Sequence, residues 1–195
     1  MMLPNTLIRS YLNALDDLLG KNGVNTILNH SGLSDWIENY PPHDLTKAVP
    51  FEAFSKIQSS LDDIYGERTG QNLSRRASRT SFLDIGAELI NRAGHAASED
   101  ISNEGIQDTL DTFVSLFDDG TGAVYWSGED EKIVIYFVTC PCCIDRKSQT
   151  PICHACAGWI EGFMTQLALG DRVQVTEASC LASDDESCSF LIQPG

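Results

Sequence analysis

Four residues near the C-terminal end, Cys153, Glu177, Cys180 and Cys188, combine the donor types of a tetrahedral zinc site: three soft thiolates and one carboxylate. Arg172-Val173-Gln174-Val175-Thr176-Glu177 alternates apolar and polar residues as a half-buried strand does, which puts Glu177 on the face of Val173 and Val175. That face is expected to point into the core. A carboxylate buried there is neutral, pairs with a base, or ligates a metal, and the neighbouring thiols favour the metal. The plainer alternative is that two or three of these thiols fill the core, with Glu177 at a strand end in water.

A second cysteine group competes for metal. Cys140-Pro141-Cys142-Cys143 and Cys153-His154-Ala155-Cys156 each contain a C-x-x-C pair, and the nine residues between them are compatible with a knuckle-type four-cysteine site. Cys140, Cys143 and Cys156 are therefore alternative metal ligands, with Cys153 serving one set or the other. A redox pair at Cys140 and Cys143 is a further option, although it lacks a thioredoxin-like context. Seven cysteines is an odd number. No charged segment with a short apolar run opens the chain, so a reducing, cytoplasmic setting is expected rather than a disulfide framework.

The 195 residues are 42% hydrophobic, enough for one sizeable core or a domain with a helical extension. No apolar run approaches membrane-spanning length. A formal charge of −15 repels phosphate backbones and anionic lipid, which argues against direct nucleic-acid binding. The dense basic spot is Arg75, Arg76 and Arg79, which at helical spacing could bind an anion, hold a partner's acidic face, or pair with local Asp and Glu. The histidines His30, His43, His95 and His154 are scattered, with no acid or serine at a triad-like spacing. There is no P-loop and no Gly-x-Ser-x-Gly elbow, and Gly120-Thr121-Gly122 precedes a strand where a dinucleotide fingerprint would follow one. A zinc ion with four protein ligands has no open position for water, so structure or allostery is favoured over hydrolysis and no catalytic residue is assigned.

These donors must be positioned by the surrounding elements. Leu7, Ile8, Tyr11, Leu15, Leu18 and Leu19 build one apolar stripe on a helix over 5–20, stopped by Gly20 and Gly23. Short helices are expected near 24–31 and 33–39, then one from Pro50 to about Tyr65. A long helix from Gly70 to Gly94 turns Leu73, Ala77, Phe82, Ile85 and Leu89 inward; residues 96–104 read as a polar loop; and Ile106, Leu110, Phe113 and Phe117 repeat at helical offsets. From there the period changes. A hairpin over 123–126 and 132–139, with its apolar second strand central, precedes a helix over 151–169 and strands over 172–178 and 187–193. The expected fold class is α+β: an antiparallel sheet of about four strands packed with helices, preceded by a helical N-terminal half. The expected division is a helical region over 1–100, for dimerisation or as a lid, and a zinc-containing ligand-binding domain over 101–195.

The tail from Cys140 to Ile192 closely resembles the 4-vinyl-reductase domain family, also described as predicted hydrocarbon-binding proteins. The resemblance rests on Cys140-Pro-Cys-Cys143 leading into Pro151-Ile152-Cys153-His154, on Gly158-x-x-x-Gly162-Phe163, on Val175-Thr176-Glu177-Ala178-Ser179-Cys180, and on Asp184-Asp185-Glu186-Ser187-Cys188-Ser189-Phe190. It extends more loosely to Ile64-Tyr65-Gly66-Glu67-Arg68 and Leu73-Ser74-Arg75-Arg76. Members include ligand-sensing domains of aromatic-responsive transcription activators, stand-alone archaeal and bacterial proteins, and a chlorophyll-pathway protein. The phenol-sensing members hold zinc with three Cys and one Glu beside an apolar ligand pocket, which implies a zinc cofactor on Cys153, Glu177, Cys180 and Cys188 here. Those sensors continue into ATPase and DNA-binding domains, whereas this sequence stops at Gly195, so its output is expected to pass through a protein partner. Their Cys-Pro-x-Cys loop typically carries an aromatic third residue, and here that residue is Cys142.

Two functions of different class follow. In the first, the chain is a zinc-stabilised sensor or carrier that encloses a small hydrophobic or aromatic ligand, with Phe82, Trp126, Tyr136, Trp159 and Phe163 as candidate lining or plain core. In the second, implied by the resemblance, it is an accessory or reductase-like protein in tetrapyrrole or (bacterio)chlorophyll metabolism, which would have to obtain electrons without a flavin, nicotinamide or cluster motif. The amount of apolar helix relative to one small sheet suggests a homodimer through the stripe from Leu7 to Leu19.

Overall fold

The protein is seen in a computed structural model that describes residues 1–92, 103–129, 132–167, 169–170 and 172–195. Strand β1 (Met2–Pro4) leads directly into helix α1 (Asn5–His30), and Gly20, with φ 71° and ψ 162°, breaks that helix where the sequence signals a stop. In place of the short helix expected near 33–39 there is one 3-10 turn, Ser34–Trp36. Strand β2 (Lys47–Pro50) pairs antiparallel with β1, Leu3 opposite Val49, a small sheet that the sequence reading did not anticipate. Pro50 caps α2 (Phe51–Tyr65), and Gly66, at φ 79°, turns the chain into α3 (Glu67–Arg92).

Helix α4 (Asn103–Phe117) ends at Asp118, whose carboxylate accepts the N–H groups of Gly120, Gly122 and Ala123 at 2.9, 3.2 and 2.9 Å. Strands β3 (Val124–Glu129) and β4 (Lys132–Phe137) then form a hairpin. Helix α5 (His154–Gln166) and strands β5 (Val173–Ser179) and β6 (Cys188–Pro194) complete the chain. The four-stranded sheet has the order β3-β4-β6-β5, antiparallel throughout, with β4 internal as expected. The fold is α+β. The expected polar loop over 96–104 lies outside the described residues as far as 102, and 103–104 already belong to α4. Also outside the description are His95 and the side chains of Leu89 and Ile106.

Helices α3 and α5 meet along Gly158 and Gly162. A Cβ at Gly158 would lie 2.2 Å from the Arg75 carbonyl oxygen, and one at Gly162 would lie 2.8 Å from that of Arg79, so only glycine permits this approach. Beneath the contact runs a continuous set of rings. Phe54 stacks on Trp159 at 4.8 Å, Trp159 meets Phe117 at 5.3 Å, and Phe117 and Phe137 carry the contact at 5.5 Å onto the sheet, where Phe190 follows at 5.7 Å. Each such pair contributes about 0.5–1.5 kcal/mol beyond the area it buries. Leu7, Ile8, Tyr11 and Leu15 of the α1 stripe are fully buried in this same core. That corrects the dimer expectation at this helix: the chain itself covers the stripe, which leaves no apolar face to pair with a copy. No helix among the described residues is long and apolar enough to cross a membrane.

Candidate metal centre

All seven cysteines and Glu177 converge on one end of the sheet. Cys140, Cys142 and Cys143 come from the loop after β4, Cys153 caps α5 and Cys156 lies in its first turn, Glu177 stands on β5, Cys180 follows that strand, and Cys188 opens β6. Alternation along β5 does put Glu177 on the core side. Its register partner is Phe190, which in turn pairs with Ile135, and both are fully buried. The loop is pinned by the helical layer: Ser55 donates to the Ile144 carbonyl at 2.7 Å, and Arg146 donates to the Cys142 carbonyl at 2.8 Å and to Asp62 at 2.5 Å.

Cys153, Glu177, Cys180 and Cys188 form one group whose ligand atoms all lie within 4.8 Å of one another. Sulfur separations are 3.6 Å from Cys153 to both Cys180 and Cys188, and 4.0 Å between the last two. The Cys153 N–H donates to Glu177 Oε2 at 2.8 Å, the Leu181 N–H to Cys188 Sγ at 3.3 Å, and the Cys180 N–H to Asp185 at 2.8 Å. Glu177 Oε1 is buried with no hydrogen-bond partner, an expensive state that a cation would relieve. Burial first, then the charge of Cys180, pushes the Glu177 carboxyl up to about 9. The donor chemistry fits zinc: borderline-soft, four-coordinate, with oriented second-shell N–H groups.

Two further groups stand beside the first. Cys140, Cys143, Cys153 and Cys188 lie within 4.8 Å of one another, and so do Cys140, Cys142 and Cys156. The knuckle expected from Cys140, Cys143, Cys153 and Cys156 is thus not among the groups found; Cys188 takes the place of Cys156. The thiols do not titrate alike. Against the burial that opposes it, hydrogen bonds from Cys140, Cys153 and Cys156 hold Cys142 well below the usual thiol value, while burial and the bonds to Cys140 and Cys142 push Cys156 up.

Against the outer side of Glu177 lies a cleft of about 520 Å³, lined by Arg75, Arg79, His154, Glu161, Val175 and Glu177. Arg75 donates to Glu161 at 2.5 Å and to the Val175 carbonyl at 3.1 Å, so one member of the basic spot pairs locally while facing a cavity. Burial first, then Arg75, holds His154 below its usual value. The five aromatic candidates are not gathered around one space. Phe82, Trp159 and Phe163 are core rings, Trp126 donates to Asp111 at 2.7 Å, and Tyr136 stacks on half-exposed Tyr125 at 4.9 Å on the opposite face of the sheet from Trp126. Sequence reasoning missed Cys142, which stands in no ligand spacing, and Arg75 as a cleft residue, since its partner Glu161 is 86 residues away.

Among solved structures the fold is similar to H-NOX domains. An oxygen-binding H-NOX domain related to soluble guanylate cyclases, in its oxygen complex, matches with 14% identity and TM-score 0.58 over 98% of this chain and 95% of that one. An H-NOX protein from S. oneidensis in the Fe(II)NO ligation state matches with 12% identity and TM-score 0.57 over 99% of each chain. A structure from work on heme distortion in the H-NOX family reaches TM-score 0.60 at 14% identity, over 98% of this chain and 95% of that one. No curated protein matches in sequence. The family model of the 4-vinyl-reductase domain matches residues 133–194, the stretch that carries every cysteine and Glu177, and so bears out the resemblance read from the cysteine pattern.

Proposed function

We propose that this chain is a zinc-stabilised small-molecule-binding module, a sensor or carrier, with the ion on Cys153, Glu177, Cys180 and Cys188. The observation that carries the reading is Glu177 Oε1, buried and unbonded among three thiols. Bound zinc supplies the positive charge that keeps these donors deprotonated and ties α5 to β5 and β6. Glu177 is both a donor to the ion and a wall of the cleft, so occupancy of the cleft would be felt at the metal. Arg75, Arg79 and His154 suit a ligand with an acidic group on a hydrophobic or aromatic body. Seven thiols kept reduced for metal suit a cytoplasmic setting, and a protein partner would carry the output.

The H-NOX likeness raises heme and, through the family, a tetrapyrrole ligand. The residues present do not fit heme. The space between helices and sheet is filled by the rings of Phe54, Trp159, Phe117 and Phe137, while His30 and His43 are bonded through Nδ1 to Ser60 and Thr6. The test is metal analysis of protein purified under reduction, followed by melting curves with aryl carboxylates and with their neutral analogues. Tightly held zinc and a rise in melting temperature with the acids alone support the reading. Metal-free protein that is fully folded overturns it.

A further inference from the structure

We infer that the cluster binds a second thiolate-held divalent ion, on Cys140, Cys142 and Cys156, joined to the first through Cys153. This rests on the first zinc site proposed above. All seven of the chain's cysteines lie in this one cluster, whereas core-filling cysteines would be scattered. The inner group is closely spaced: Cys142 and Cys156 sulfurs lie 3.1 Å apart, and Cys140 and Cys156 3.8 Å apart. Sulfurs around one tetrahedral ion at a bond length of about 2.3 Å stand about 3.8 Å apart, so the spacing suits a single ion held between them. A sulfide-bridged iron cluster interposes metals and sulfides between its cysteines and has no room here.

Cys153 supplies the fourth corner. Its sulfur lies 3.5 Å from Cys140 on the inner side and 3.6 Å from Cys180 and Cys188 on the outer side, the position of a shared thiolate. The sequence reading let Cys153 serve one set only; a bridge removes that conflict. A cleft of about 500 Å³ lined by Val138, Cys140, Cys143, Arg146 and Leu181 gives ions a route to the inner group. The two arms of this centre join different parts of the chain. The outer ion ties α5 to β5 and β6, and the inner one ties α5 to the loop that Ser55 and Arg146 fasten to α2.

Native mass spectrometry of the reduced, zinc-loaded chain should give two zinc ions per molecule. Cys142→Ser and Cys156→Ser should each drop to one, and Glu177→Ala should also drop to one by losing the other ion. One ion in the wild type, unchanged in Cys142→Ser and Cys156→Ser, overturns the inference. Two ions in the wild type that fall to one in Cys143→Ser but not in Cys142→Ser overturn the ligand assignment. If Glu177→Ala and Cys180→Ser keep both ions while the inner variants lose one, the outer-site reading fails and this one stands. Cobalt titration of the wild type needs no variant. Thiolate-to-cobalt absorption should saturate at two equivalents, and the second should weaken the paramagnetic resonance signal by coupling through the bridge. Saturation at one equivalent sinks the proposal.

Discussion

A glutamate with one oxygen on a backbone N–H and the other facing sulfur stays protonated until a cation arrives, and Glu177 is in that position. Glu177→Gln keeps its shape and burial but removes the anionic donor. Zinc affinity should fall by more than about 100-fold, because even outer-shell partners are worth 10–100-fold, and competition with a chelator measures it. An unchanged affinity would remove Glu177 from the ligand set. Cys180→Ser and Cys188→Ser should lose the ion and lower the melting temperature, and chelating wild-type protein should lower it in the same way. If chelation leaves the melting curve in place, the ion has no structural role.

At the scale of elements, the centre depends on how closely α5 approaches α3. Gly158→Ala drives a methyl group to 2.2 Å from the Arg75 carbonyl, a clash with backbone that only helix separation relieves. The expected cost is about 3 kcal/mol or more, read by denaturant unfolding, and a loss under 1 kcal/mol would show that the helices are not in contact there. Asp62→Ala tests the other anchor. Burial pushes the Asp62 carboxyl up while Arg146, 2.5 Å away, pulls it back, and removing the acid leaves Arg146 largely buried without its partner. That should cost about 3 kcal/mol. Much of this arrangement was legible in the sequence, because β5 alternates cleanly and Glu177, Cys180 and Cys188 lie in one strand–turn–strand unit. The inner thiols were not. Cys142 sits in an irregular loop held by Ser55 and Asp62 from 80 to 90 residues away, and no periodicity encodes that contact. The β1–β2 pair was missed because three- and four-residue strands are too short to show alternation and are joined across the whole of α1.

For the whole molecule, the ratio of helix to sheet suggested that apolar helix surface must be covered by a second copy. The fold disposes of that surface internally instead. Helices α1, α2, α3, α4 and α5 all place buried side chains in the core that meets the sheet, and the α1 stripe that was to pair with a copy lies at its centre, with Leu7, Ile8, Tyr11 and Leu15 at 0% exposure. Tyr11 also reaches Gln58 and Ser74 by hydrogen bonds, so the helix is tied to α2 and α3 by polar groups as well. The large apolar side chains left exposed are few, namely Met2, Tyr125 and Val138 among the described residues, and the last two lie by the β3–β4 hairpin, away from α1. A two-fold interface on α1 would therefore bury polar surface for little gain. Light scattering at micromolar concentration should give a mass near 21.4 kDa. Removing residues 1–22 should unfold the chain, because it extracts part of the core, where an α1 dimer would have released a folded monomer. A doubled mass in the intact protein, falling to a folded monomer on that truncation, would refute the internal placement of the stripe.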